Sequence, residues 1–187
     1  MVNLPPFQAA VLFHIFDKAP VSETADTLDY RLSGDFDGTF YAAYVALDKK
    51  TGYEESSLVV TLATHSDIVF LAVTRVHQGE VARILSNLED YDREIGGTLC
   101  VGEVVRIPDP YFSSIGLYAV VLLRPAVLSG FDAFGDCHTI RNRHLRFALT
   151  LFLTEEEWSF RRSHGHDALM DRFTDEQKSV LVFGRAQ

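Results

Sequence analysis

Cysteine, methionine and tryptophan are scarce in these 187 residues, at two, two and one, and only six prolines occur. Cys100 and Cys137 lack CxxC spacing, and a chain this large needs no covalent staple, so both are expected as free thiols. Long apolar runs are missing too. Ala9–Phe16, Ile68–Val73 and Leu117–Leu123 are far short of the roughly 20 residues that cross a bilayer, and Asp17 or Arg124 soon interrupts them, so no membrane span is expected. No Lys or Arg precedes the first apolar run, so no secretory signal is expected and cytoplasmic residence is the default.

Positive charge is the next shortage. Seventeen Lys and Arg face 26 Asp and Glu, a net charge of −9. Nucleic acid would be repelled unless a local patch outweighed that field. The one candidate patch is Arg141, Arg143 and Arg146 beside His138 and His144. Leu145, Phe147, Leu149, Leu151 and Leu153 alternate there, which predicts a strand with Arg146 on its solvent face. A protein partner with basic character suits the balance better.

Catalytic signatures are also absent. No GxxxxGK[ST] run could cradle phosphates, and no GxSxG elbow could present a serine. His164, His166 and Asp167 have no distant ligand at matching spacing and read as helix-end residues, so no metal or other cofactor is expected. Asp35–Gly38 lacks the later ligands of a calcium loop and reads as a turn. Cys137–His138 reads as the edge of a loop, since one adjacency does not make a catalytic pair. Glu155–Glu157 fits the electrostatics of a helix start. An enzyme assembled from distant carboxylates stays open as an alternative.

What is present reads as one globular domain over residues 1–187. Hydrophobic residues make up 47% and charged residues 23%, enough of each for a core and a solvated surface. The segment to Pro20 fits either a strand or a short helix. Strands are predicted at Asp29–Leu32 and Thr39–Leu47 around a Ser33–Gly38 turn, then at Ser57–Thr64 and Ile68–Thr74, as two tightly joined strands or one strand bent at His65–Asp67, and at Thr98–Ile107, Leu117–Leu123 and Arg143–Leu153. From Gln78 to Tyr91, Val81, Ile84, Leu85, Leu88 and Tyr91 recur at helical spacing, with Glu89 and Asp90 assigned to the polar side. Thr154 followed by Glu157 is a capping box, so a helix is predicted from there to a left-handed stop at Gly165. A second short helix is expected over Asp167–Phe173. The loop around Phe131, Asp132, Phe134 and Asp136 has the composition of an insertable plug, with Tyr111 and Phe112 as a second contact. The opposing possibility is that its phenylalanines fold back into the core.

The stretch Asn142–Phe173, NRHLRFALTLFLTEEEWSFRRSHGHDALMDRF, resembles the end of the bacterial suppressor-of-fused-like family: a strand, an acidic helix start, then HG-x-[DE]-AL and a helix closing on a basic and an apolar residue. Ala82–Tyr91, the strand holding Thr98, Leu99 and Gly102, and Leu122–Pro125 are similar to its upstream elements, so the likeness spans about residues 77–173. Cys100, Val101, Glu103 and Val104 stand where the family often has Trp and His. The resemblance implies an α+β fold, a mixed, mainly antiparallel sheet with flanking helices, and no catalytic residues. It also implies a partner-binding role. Eukaryotic relatives sequester a transcription factor by accepting an extended peptide beside the sheet, while bacterial relatives look like immunity proteins. The expectation is an immunity protein that neutralises a cognate toxin by occluding a basic active-site cleft. The alternative is a regulator that sequesters an extended peptide.

Overall fold

The computed structural model describes residues 3–182 apart from 32–38, 133 and 136. The expected Ser33–Gly38 turn, with Asp35 and Asp37, lies outside the described residues. The open choice at the N-terminus resolves as a helix, α1 (Pro6–Lys18). Pro6 sits in the first turn, where a missing N–H costs nothing, and Val11, Leu12 and Ile15 share its buried side. The helix stops where Ala19, held extended by the following Pro20, leaves helical geometry.

β1 (Val21–Arg31), β2 (Thr39–Leu47), β3 (Ser57–Thr61) and β4 (Ile68–Thr74) follow as antiparallel neighbours. After α2 (Gln78–Glu94) come β5 (Val104–Arg106), α3 (Pro110–Ser114), β6 (Ala119–Leu123), β7 (Cys137–Ile140) and β8 (Arg143–Leu153). The helices α4 (Glu155–His164) and α5 (His166–Asp175) close the order. Among the described residues the sheet has eight strands in the order β1-β2-β3-β4-β8-β6-β5, with β7 beside the first part of β8. Among the described strands only β4 and β8 pair in parallel, with a single parallel bridge from Val73 to Leu181 beyond them. The expected α+β class, a mixed and mainly antiparallel sheet with flanking helices, is the observed one.

Two apolar layers hold the sheet between helices. One packs α1, α5 and the rings of Trp158 and Phe160 on α4 against Val69, Leu71, Phe147 and Leu149. The other packs α2 and Phe112 of α3 against Ile68, Phe70, Ala148 and Phe152. β4 and β8 lie at the centre, so both faces are covered: all seven residues of β4 are buried, and so is every β8 residue from Phe147 on. That corrects the one-sided reading of β8. Ala148, Thr150 and Phe152 are small or apolar enough to be buried too, and Arg146 is half-buried beneath a loop instead of facing open solvent.

The capping box forms as expected: Glu157 N–H donates to Thr154 Oγ1 at 3.3 Å and Thr154 N–H to Glu157 Oε2 at 2.8 Å. Gly165 ends α4 at φ 94° and ψ 177°, a positive-φ geometry outside the expected left-handed helical region but still one that favours glycine. The strand expected over Thr98–Ile107 shortens to β5. The stretch up to Cys100 is a loop because side chains satisfy its backbone: Leu99 N–H donates to Asp92 Oδ1 and Cys100 N–H to Glu103 Oε2, while the carbonyls of Gly97 and Leu99 accept from Arg146. β7 is an addition. A two-residue turn, Arg141 (φ 45°) and Asn142 (φ 67°), joins it to β8.

Candidate functional site

The first candidate surface is the β5 edge of the sheet, the end of the strand order opposite β1. Among the described residues β5 has one strand neighbour, β6. Leu122 N–H donates to Glu103 O and Ile107 N–H to Tyr118 O, so the period of two turns the amide and carbonyl of Val104 and of Arg106 away from β6. Beside that edge lies a cavity of about 480 Å³ between β5 and α2, with Ile84, Leu88, Tyr91, Val105 and Ile107 among its lining. Asp109 closes one end. It accepts from Tyr111 N–H and Phe112 N–H at the start of α3 and from Arg83 of α2 at 2.7 Å. Burial pushes the Asp109 carboxyl up, but Arg83 and those two amides outweigh it and hold the group below its ordinary value.

The second surface is a cleft of about 670 Å³ where the end of α2 meets the β3–β4 loop and the β7–β8 hairpin. Its frame is built from carboxylates of α2. Glu89, with no exposed surface, accepts from the amides of Thr64 and His65 at 3.0 Å each. Asp92 accepts from Ser66 Oγ at 2.6 Å and from Leu99 N–H at 3.0 Å. Asp90 pairs with Arg93 at 2.9 Å and lies 3.6 Å from His65. These three carboxylates are buried, which corrects the assignment of Glu89 and Asp90 to a solvated helix face. Glu89 and Asp92 serve as acceptors for the two loops that hold Thr64–Ser66 and Leu99. Arg143 completes the frame, donating to Asp67 and to the carbonyls of Ala63 and Ser66.

Burial pushes the Glu89 carboxyl up to about 7, although the backbone amides of His65 and Thr64 and the Thr61 side chain pull the other way. The unfolded carboxyl titrates near 4.5. Between those values the folded chain keeps a proton that the unfolded chain has lost, so stability falls as pH rises through this window and levels off above it. At about 1.4 kcal/mol per pH unit this amounts to a loss on the order of 3 kcal/mol. Glu89→Gln keeps the acceptor and has no proton to lose. Denaturant titrations at pH 4 and pH 8.5 are expected to show the variant gaining on the wild type at the higher pH, and equal pH slopes would refute the assignment.

The six residues expected to grip a partner are not gathered on one surface. Phe112, Phe131 and Phe134 are wholly buried. Phe112 stacks on Phe152 at 5.3 Å, and Phe134 meets Phe147 edge-on at 4.8 Å and Phe131 at 5.8 Å. The plug expectation is corrected for these rings: they tie their loops to the core. Tyr111 is half-buried against His77, Asp132 is exposed, and Asp136 lies outside the described residues. The open edge of β5 could not be found in the sequence, because Val104–Arg106 reads the same whether one neighbour or two is present. Among the described residues no group of three or more His, Cys, Asp or Glu could hold a metal ion, and no helix is long and apolar enough to cross a membrane.

The chain is similar in structure to a suppressor-of-fused homologue of Neisseria gonorrhoeae FA 1090, with a TM-score of 0.71 and 16% identity over 97% of this chain and 96% of that one. A chain of the Sufu–Fu complex aligns with a TM-score of 0.54 and 10% identity over 99% and 93%. No family model and no curated protein matches the sequence. Likeness at these identities is likeness of fold, and by its fold the chain is a suppressor-of-fused-like α+β domain.

Proposed function

We propose that this chain is a non-catalytic protein-binding domain that accepts an extended segment of its partner along β5. The open edge carries this reading: Val104 and Arg106 turn backbone donors and acceptors outward beside a cavity that would take alternate apolar side chains. A chain of similar fold forms the Sufu–Fu complex, which is in keeping with a partner-binding role. The net charge of −9 favours a basic partner and fast, salt-sensitive encounter. A toxin with a basic active-site cleft meets that description, and occlusion of the cleft in the cytosol of the producing cell would be the immunity function.

The test co-expresses the product of the adjacent gene with this chain and reads rescue of growth and co-purification. Arg106→Pro removes an outward amide without touching the β6 ladder, since Val105 before it is already extended. Binding is expected to fall at least about tenfold, the loss of one well-placed hydrogen bond and a blocked edge. Thermal midpoint should move by only a few degrees, on the order of 1 kcal/mol. A neighbour that is harmless alone and does not bind would sink the immunity reading. Full binding by the folded Arg106→Pro chain would sink the edge.

A further inference from the structure

We infer that the cleft at the end of α2 is a binding site for a small amphipathic acid, a molecule with a phosphate or carboxylate head and an apolar body. This is independent of the β5 edge. In a chain of net charge −9, Arg93, Arg143 and Arg146 line one concavity together with His65 and His144. Two carboxylates line it with them: Asp67 is paired with Arg143, and Asp92 accepts from the neutral donors Ser66 Oγ and Leu99 N–H, while Arg93 is held by Asp90 of its own helix.

Arg146 is the decisive group. Among the described residues its guanidinium donates to the carbonyls of Leu99 at 2.5 Å and Gly97 at 3.0 Å and meets no carboxylate. Carbonyl dipoles orient the fork but leave its charge uncompensated, and a planar guanidinium with spare donors is suited to an oxoanion. The floor beside it is open. Gly96 and Gly97 line the cleft, and a side chain built on either would meet nothing within 4 Å.

Arg146 and Cys137 also line a second cavity of about 380 Å³, so the two cavities share these residues as walls. Its walls include Ile68, Leu99, Val101, Leu122 and Ala148. It lies where, among the described residues, β8 has no strand partner on one side: β6 pairs with β8 up to Leu149 and β7 pairs from Arg146 back, leaving Phe147 and Ala148 between them. An apolar annex walled in part by a guanidinium that meets no carboxylate among the described residues sets the ligand's polarity, head at Arg146 and body along Leu122 and Ala148. Both cavities lie in the size range of small-molecule sites, roughly 300–1,000 Å³.

The exposed thiol of Cys137 at the junction reports occupancy. In a Cys100→Ala chain, alkylation of Cys137 by iodoacetamide is followed with octyl phosphate, octanoate, inorganic phosphate or octyl glucoside present. Octyl phosphate or octanoate at about ten times its Kd should slow alkylation roughly tenfold, because only the empty cleft reacts. Inorganic phosphate should protect more weakly, and the neutral glucoside not at all. His144→Glu puts a repelling charge on an exposed rim position, and Val101→Trp fills the annex from an exposed one, so each should abolish protection in a folded chain. Equal protection by octyl glucoside would reduce the effect to apolar adsorption and overturn the proposal. So would unchanged alkylation with both acids at millimolar concentration, or protection that survives both variants.

Discussion

Phe134→Ala is expected to lower the unfolding free energy by about 3–5 kcal/mol, the usual cost of emptying a buried aromatic site. Phe131, Phe147, His14 and His138 surround the ring, with centroids between 4.8 and 6.2 Å away. Those neighbours come from α1, β7, β8 and the loop itself, so they cannot all close on the space the ring leaves. The loop backbone is fastened as well: Phe134 N–H donates to Phe131 O at 2.9 Å, and Phe134 O is bonded to the His138 ring. Asp132→Ala in the same loop, an exposed position, should stay within about 0.5 kcal/mol. Urea denaturation of the two variants separates the structural role from a plug. A plug would lose affinity and keep stability, whereas a core ring loses stability first. A change under about 1 kcal/mol for Phe134→Ala would place the ring outside the core.

The same residues show where sequence reasoning reached its limit. An aromatic beside Asp and Gly in a loop has one composition whether the ring inserts into a partner or into its own core, and only the packing of Phe147 and His14 decides. The capping box was legible because Thr154 and Glu157 satisfy each other within one turn, with no help from the rest of the chain. Glu89 and Asp90 are assigned to the wrong side for the opposite reason. Glu89 accepts from the amides of Thr64 and His65, and Asp90 lies against His65 and Arg93, contacts that periodicity along α2 does not report. β7 escaped because its turn uses Arg141 and Asn142 at positive φ, where Asn-Gly would have announced a hairpin. Both candidate sites depend on such non-local facts. Arg146 becomes a ligand donor only because β8 is central and the Gly97–Leu99 loop lies over it.

Lys178→Met is expected to cost about 3–5 kcal/mol, because it removes one member of a buried ion pair. Lys178 Nζ lies 2.5 Å from Glu157 Oε1, with side-chain exposures of 11% and 3%, and it donates to Phe152 O at 3.3 Å over the ring of Phe173. Without the ammonium, Glu157 must take up a proton or stay ionised beside the sheet, and either choice weakens the capping box that starts α4. The consequence spreads along the chain. Residues after Lys178 lead to Val182, whose N–H donates to Val73 O at 2.9 Å where β8 has already turned from β4 towards β6. Loss of the lysine should therefore speed amide exchange at Val182 as well as lower the urea midpoint. Glu157→Gln in the Lys178→Met background removes the carboxylate charge and keeps the cap, since glutamine can accept the Thr154 amide as glutamate does. The double variant should recover much of the lost stability. If it is no more stable than Lys178→Met alone, the cost lies in the lysine's packing over Phe173 and not in the ion pair; if exchange at Val182 is unchanged, Lys178 does not hold the C-terminal segment against β4.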